Sequence, residues 1–259
     1  MKKDFFEGIQ KDTYANRGAG DNWKDAIRKR VDIKNKTAAD IGIGGGIYSI
    51  ALAELGAARV IGIDIAENML AAARSNCHSY PQIEFQLGHA SDTKLKDQEV
   101  DVILERALIH HLTESQLKDC FVEAKRILQD EGVYIIQDRT SEDCLVKGSP
   151  EHLRGYFFDI YPQLKKKDIS RRHSIETVHD TLFQSGFREV EFFTLWENRK
   201  LYQSGEELRQ EILDRKGRSI LFELNDQQLE VLADKILEKA EGEFPLQEKE
   251  RWTIWIAMK

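Results

Sequence analysis

The apolar positions of this chain fall into short runs and longer stripes that alternate regularly. Ala38, Ala39 and Ile41 make a run too brief for a helix, and the glycines of Asp40-Ile41-Gly42-Ile43-Gly44-Gly45-Gly46 end it. Ile47, Ile50, Ala51, Ala53 and Leu55 then recur at helical spacing up to Gly56, which has the place of a helix-ending C′ residue. Val60-Ile61-Gly62-Ile63 follows and stops at Asp64. Strand, glycine turn, helix and strand in that order predict half of a doubly wound sheet.

The alternation continues downstream. Glu67 to Arg74 is strongly helix-forming, Pro81 precedes a third strand from Gln82 to Leu87, and Val100 to Leu104 makes a fourth. Thr113 and Gln116 have capping-box spacing. Leu117, Phe121, Ala124 and Leu128 draw a stripe along a helix expected to stop at Asp130-Glu131-Gly132, before a fifth strand from Val133 to Gln137. Upstream, Phe5, Phe6, Ile9 and Tyr14 line one side of a helix, and Trp23, Ile27 and Val31 line another. Between them Asn16 to Asp21 is too glycine-rich for a stable helix and reads as a flexible flap.

Past strand five the pattern changes. Ser149-Pro150 predicts a helix start, followed by Tyr156, Phe157, Phe158 and Tyr161, aromatics that form either a lid over an apolar substrate or a plug at the sheet edge. Lys165, Lys166, Lys167, Arg171 and Arg172 read as a solvated loop leading into a helix near Ser174, with an anion-binding patch as the other reading. Val190, Phe192, Thr194 and Trp196 predict a sixth strand. Ser204 with Glu207 caps a helix through about Lys216. Asn225 with Gln228 caps another, whose stripe of Leu229, Leu232, Ile236 and Ala240 ends before Gly242. Trp252 to Met258 alternates at strand period and predicts a seventh strand of unread direction.

Composition narrows the function. A chain of 259 residues can bury a full core, and a net charge of −7 with a pI near 5.6 disfavours a broad phosphate-backbone footprint, so no nucleic-acid partner is expected. Cys77, Cys120 and Cys144 are odd in number and form no C-x-x-C pair, which argues against a disulfide framework or zinc knuckle and fits a reducing, cytoplasmic setting. No uninterrupted apolar run has membrane-spanning length, so a soluble chain without a membrane partner is expected. The sequence carries no signal of oligomeric state.

The glycine turn is where chemistry enters. A bare backbone at a helix start lets a ligand lie against its N–H groups, and an acid ending the next strand, here Asp64, can accept both hydroxyls of a ribose. The dinucleotide fingerprint G-x-G-x-x-G fits poorly, since its third glycine would fall on Ile47 or Ser49. The run acid-x-Gly-x-Gly-x-Gly, with Asp40, Gly42, Gly44 and Gly46, resembles the first motif of class I S-adenosylmethionine-dependent methyltransferases. Gly88-His89-Ala90-Ser91-Asp92, the segment from Val100 to the His110-His111-Leu112 end, and Glu123 to Asp138 are similar to later segments of that family, in order.

That resemblance implies a seven-stranded Rossmann-like α/β sheet with helices on both faces and an antiparallel last strand, to which the apolar stripes and capping boxes add N-terminal covering helices and a helical cap inserted before the last strand. One domain over 1–259 is expected: covering helices in 1–33, a cofactor-binding core in 34–140, a lid segment and sixth strand in 141–197, a cap insertion in 198–247 and the last strand in 248–259. The resemblance implies S-adenosylmethionine as cofactor, with Asp40, Gly42, Gly44, Gly46, Asp64, Ile65, Met69, His89, Ala90 and Arg106 as its site. Tyr14 either closes over the cofactor or packs on the core. His89 stands where the family carries an acid that accepts from the adenine amino group, so a neutral His89 nitrogen, Asp92 or a backbone carbonyl takes that role. His110 and His111 are the candidate catalytic bases, although adjacent spacing aims them in different directions; the other reading has one buried and hydrogen-bonded and its neighbour exposed. No third ligand accompanies them, so no metal is expected. The expected activity is methyl transfer to a small-molecule acceptor; a nicotinamide-dependent reductase and a non-catalytic cofactor-binding module are the alternatives.

Overall fold

The computed structural model describes residues 19–240 and 243–259. Tyr14, with the rest of the first predicted covering helix, lies outside them. The described order is α1 (Asp21–Arg28), β1 (Thr37–Ile41), α2 (Ile47–Glu54), β2 (Arg59–Asp64), α3 (Glu67–Asn76), β3 (Ile83–Leu87), β4 (Val100–Arg106), α4 (Glu114–Ile127) and β5 (Leu128–Asp138). There follow α5 (Ser141–Cys144), α6 (Leu153–Ile160), α7 (Pro162–Ile169), α8 (Ile175–Gln184), β6 (Arg188–Tyr202), α9 (Gly205–Leu213), α10 (Asp226–Lys239) and β7 (Leu246–Met258). Short 3₁₀ turns occupy Ile109–His111 and Ser219–Glu223.

The strands form one seven-stranded sheet in the order β3-β2-β1-β4-β5-β7-β6. β1 pairs parallel with β2 and β4, and β4 with β5, whereas β7 runs antiparallel to β5 with Ile135 opposite Ile256. The described chain divides into two compact units. The first holds the described residues up to Asp138 with His173–Leu195 and Thr253–Lys259, and the second holds Arg139–Arg172 and Trp196–Trp252.

In the first unit the central strands are buried on both faces, which is why they read as continuous apolar runs. Ala39, Ile41 and Ile103 meet Leu117, Phe121 and Ala124 of α4 and Val178 and Leu182 of α8. Their neighbours along the strands, Ala38, Val102 and Leu104, meet Trp23 and Ile27 of α1 and Ala51 and Leu52 of α2. The Thr113 to Gln116 capping box forms as its spacing predicts. The end of α4 does not fall where expected. Leu128 is already extended (φ −70°, ψ 140°) and pairs with Val100, so α4 stops at Ile127 and β5 starts well before Val133.

The second unit has a core of its own. Tyr156, Phe157 and Phe158 are buried with Leu208 and Ile212 of α9 and Leu229, Leu232 and Ile236 of α10. The aromatics read from sequence as lid or sheet-edge plug are therefore the centre of this unit. Ser149 and His152 close an isolated bridge rather than opening a helix, and α6 starts at Leu153. The basic stretch is also corrected. Lys165 to Lys167 lie on α7, and Arg171 and Arg172 fold back onto buried Asp168, which accepts from Arg154 Nη2 (2.6 Å), Arg171 Nη2 (2.8 Å) and Arg172 Nη2 (3.0 Å). A carboxylate taken from water needs such partners, and three guanidiniums hold it well below the usual carboxylate range against the opposing cost of burial.

Candidate active site

β1 lies in the sheet between β2, which leads with β3 toward one edge, and β4, which leads with β5 toward the other, so the strand order reverses at β1. In open α/β sheets ligands lie in the crevice outside the carboxyl ends at such a switch point. A cavity of about 240 Å³ opens there, walled by the glycine turn, Asp64 and Ile65 after β2, Met69 on α3, His89 and Ala90 after β3, and Arg106 to Leu108, His111 and Leu112 after β4.

The three motif glycines are there for different reasons. All have positive φ, 78° at Gly42, 52° at Gly44 and 83° at Gly46. A Cβ on Gly42 would lie 2.6 Å from Leu108 Cδ1, and one on Gly46 2.5 Å from Cys77 Sγ, so both leave room for the protein's own packing. A Cβ on Gly44 would meet nothing nearer than Met69 Cε at 3.8 Å. Gly44 is the glycine that keeps the cavity open. Gly46 caps α2 and is absent from the cavity wall, where Gly45 stands instead. Asn76, at the end of α3, donates to Gly45 O (2.9 Å) and steadies this turn.

Asp64 accepts from Gly44 N–H (3.2 Å) and Ala66 N–H (3.0 Å), tying the turn to the end of β2. Burial pushes its carboxyl up, against the pull of those hydrogen bonds. Asp40 is deeper. It accepts from Ser49 Oγ–H (2.6 Å), and burial pushes it up to about 6 despite the nearby positive charge of Arg106. The Arg106 guanidinium lies over the Tyr48 ring at 4.2 Å, and Tyr48 meets Trp23 edge-on at 5.0 Å. Trp23 Nε1–H donates to Gln137 (2.7 Å), so α1 braces the wall under Arg106.

His89 lines the cavity with a defined tautomer. Ser91 N–H donates to its Nδ1 (3.1 Å), so the neutral ring carries its proton on Nε2, and that nitrogen is a donor. In this arrangement Nδ1 is occupied by Ser91 and Nε2 is the ring nitrogen left for a ligand. Asp92 is ion-paired with Lys94 and is not part of the wall.

His110 and His111 sit in the 3₁₀ turn entered through Ala107, whose φ of 52° swings the chain sharply out of β4. Asp138, the last residue of β5 and 1% exposed, accepts from His110 N–H (3.2 Å) and Nδ1–H (2.9 Å). His111 is exposed and lines the cavity, and the two rings lie 4.1 Å apart at 41°. They do not point apart as adjacent spacing suggests: a strand neighbour fixes one ring where the other can lie against it. Sequence reading missed Tyr48, Asp138 and Gly45. A charged residue ending a buried apolar strand was the available signal for Asp138. Among the described residues no group of three or more His, Cys, Asp or Glu could hold a metal ion, and no helix is long and apolar enough to cross a membrane.

Residues 39–136 match the family model described as the methyltransferase domain. The matched stretch runs from β1 into β5 and contains every residue that lines the switch-point cavity. The ribosomal protein L11 methyltransferase of Aeromonas hydrophila is 39% identical over 95 residues, covering 36% of this chain and 30% of that protein. Its Legionella pneumophila counterpart is 39% identical over 69 residues, covering 27% and 24%. The chain thus spans less than a third of these relatives' length. Phosphoethanolamine N-methyltransferase 2 of Haemonchus contortus, solved with S-adenosyl-L-methionine, superposes with a TM-score of 0.61 at 17% identity, over 99% of this chain and 59% of that one. A SAM-dependent methyltransferase of Aquifex aeolicus gives 0.53 at 17%, over 91% and 88%. Likeness at that identity is one of fold.

Proposed function

We propose that this protein transfers a methyl group from S-adenosylmethionine to a small-molecule acceptor. The observation that carries the reading is a single cavity, inside the matched methyltransferase domain, that has the open face of Gly44, the Asp64 carboxylate and the His111 ring on its wall. The donor set fits the cofactor. Asp64 has lone pairs beyond its two backbone bonds to accept ribose hydroxyls, and Ile65, 47% exposed at the rim, offers an apolar shelf to adenine. His89 Nε2–H can donate to an adenine ring nitrogen, which leaves the amino group to a backbone carbonyl. Arg106 and Asp40 suit the carboxylate and ammonium of a methionyl tail. Met69 and Ala90 fill the wall between.

When bound, S-adenosylmethionine supplies a methyl group already activated by its sulfonium. The chain's task is then to hold an acceptor in line and, for a hydroxyl or protonated amine, to take its proton. Near-attack positioning is worth on the order of 7–11 kcal/mol, against ~10²–10⁴-fold for a general base. His111 is the residue to take that proton, at an imidazole nitrogen facing the cavity. His110, held by Asp138, supports its ring. A cleft of about 240 Å³ in an acidic chain favours a small acceptor over a nucleic acid.

Calorimetry with S-adenosylhomocysteine tests the cofactor half. Binding to the wild type, weakened about tenfold or more by Asp64→Ala through loss of a charge-assisted acceptor, supports it. Binding of NADH in its place rejects it. Methyl-labelled cofactor incubated with size-fractionated cell extract tests the acceptor half, since label confined to macromolecules would exclude a small acceptor.

A further inference from the structure

The turn that carries His110 and His111 has few bonds of its own. His111 N–H donates to Leu108 O (2.9 Å) and Leu112 N–H to Ile109 O (3.0 Å). A single 3₁₀ turn has poor hydrogen-bond geometry and little cooperativity, so its order must come from outside. Asp138 holds the His110 part of it. The far end carries His111 and Leu112 on the cavity wall.

His173, 64 positions from Ile109 in the chain, reaches that end. Its Nε2 lies 3.1 Å from Ile109 O and 3.0 Å from Leu112 O. Carbonyl oxygens only accept, so Nε2 bears the proton and donates to both, forking across the turn from its first residue to the one just past its last. His173 is itself fixed. Ser174, the next residue, caps α8 by accepting from Thr177 N–H (3.0 Å), so the donor stands at the start of a packed helix whose Val178 and Leu182 are buried in the core.

We propose that His173 is a positioning residue for the methyl transfer: its forked hydrogen bond locks the 109–112 turn so that His111 faces the cavity. The proposal rests on the methyltransferase reading for its purpose and on the two distances for its mechanics. His173 is not among the residues lining the cavity, so it acts through the turn and touches no reactant. The sequence offered no sign of this role, because nothing local distinguishes His173 from the basic residues before it.

The test uses the full isotope-labelled chain, S-adenosylhomocysteine as the probe, and two variants. His173→Phe keeps a ring of similar size without the donor, and His173→Gln keeps a donor. In His173→Phe the amides of His111 and Leu112 are expected to exchange with solvent about tenfold faster or more, with amides of β1 and α2 unchanged. Affinity for the probe should stay within roughly threefold, since lost positioning of the turn spares ground-state binding, and His173→Gln should restore most of the protection. With methyl-labelled S-adenosylmethionine and the small-molecule fraction of a cell extract as the probes, the rate of label transfer should fall by about tenfold or more in His173→Phe. Unchanged exchange at His111 and Leu112, a uniform rise in exchange across the first unit, or failure of glutamine to rescue in a folded variant would each overturn the proposal. Should the probe bind no form of the protein, the methyltransferase reading fails while the exchange pattern still judges the clamp.

Discussion

At the scale of single residues, the glycine turn shows how one motif serves unlike purposes. Spacing marks Gly42, Gly44 and Gly46 as needed, but only the neighbours reveal for what: Leu108 for the first, open cavity for the second, Cys77 for the third. Gly44→Val should therefore abolish binding of S-adenosylhomocysteine in calorimetry, and the positive φ adds a backbone cost of about 1–3 kcal/mol that lowers the thermal midpoint. Gly46→Ala should do the reverse in emphasis. Its added methyl strikes Cys77 Sγ at the base of α2, so the midpoint should drop while the folded fraction still binds the ligand. Equal loss of binding in both variants would mean that the turn responds as a unit. Asp64 and the glycines were legible because turn chemistry is local. The proton position on His89 was not, since it depends on how residues 89–92 close their small bridge.

At the scale of elements, β4, β5 and α4 enclose a group the proposed chemistry does not use. Glu105, fully buried on β4, accepts from the Tyr134 hydroxyl of β5 and from Cys120 Sγ–H of α4 at 3.1 Å. Burial pushes it up to about 7 from an ordinary 4.5, so the folded protein keeps the proton while the unfolded chain loses it. The stability associated with that proton is full below pH 4.5 and is lost as pH rises toward 7, on the order of 3 kcal/mol in all. Glu105→Gln should accordingly gain stability over the wild type as denaturation is moved from pH 4.5 to 7, and a difference constant across that range would show the carboxyl to be ionised in the fold. The helices and strands themselves were largely readable, since their periods are intrinsic to the chain. The end of α4 was not. Pairing of Leu128 with Val100 drew the residue into the sheet, overriding the apolar stripe that would have continued the helix.

At the scale of the whole molecule, two compact units share one chain that passes between them at residues 138–139, 172–173, 195–196 and 252–253. The second unit combines an aromatic and aliphatic core with buried ion pairs, of which Asp168 and its three arginines are the most concentrated. Removing one partner from such a cluster leaves uncompensated buried charge, so Asp168→Asn should cost roughly 3–5 kcal/mol. Amide exchange in α6 and α7 would register it, and protection equal to the wild type would show that the guanidiniums find other partners. What the sequence alone determined was the alternation of strands and helices, the glycine turn at the first switch and the acid after the second strand, because periodicity and turn chemistry act over a few neighbouring residues. Tertiary structure decided the antiparallel course of β7, the burial of Tyr156 to Phe158 in a core of their own, and the setting of His110 and His111 by Asp138 and His173. Those outcomes rest on partners tens of residues apart, which meet only once the sheet has brought them together.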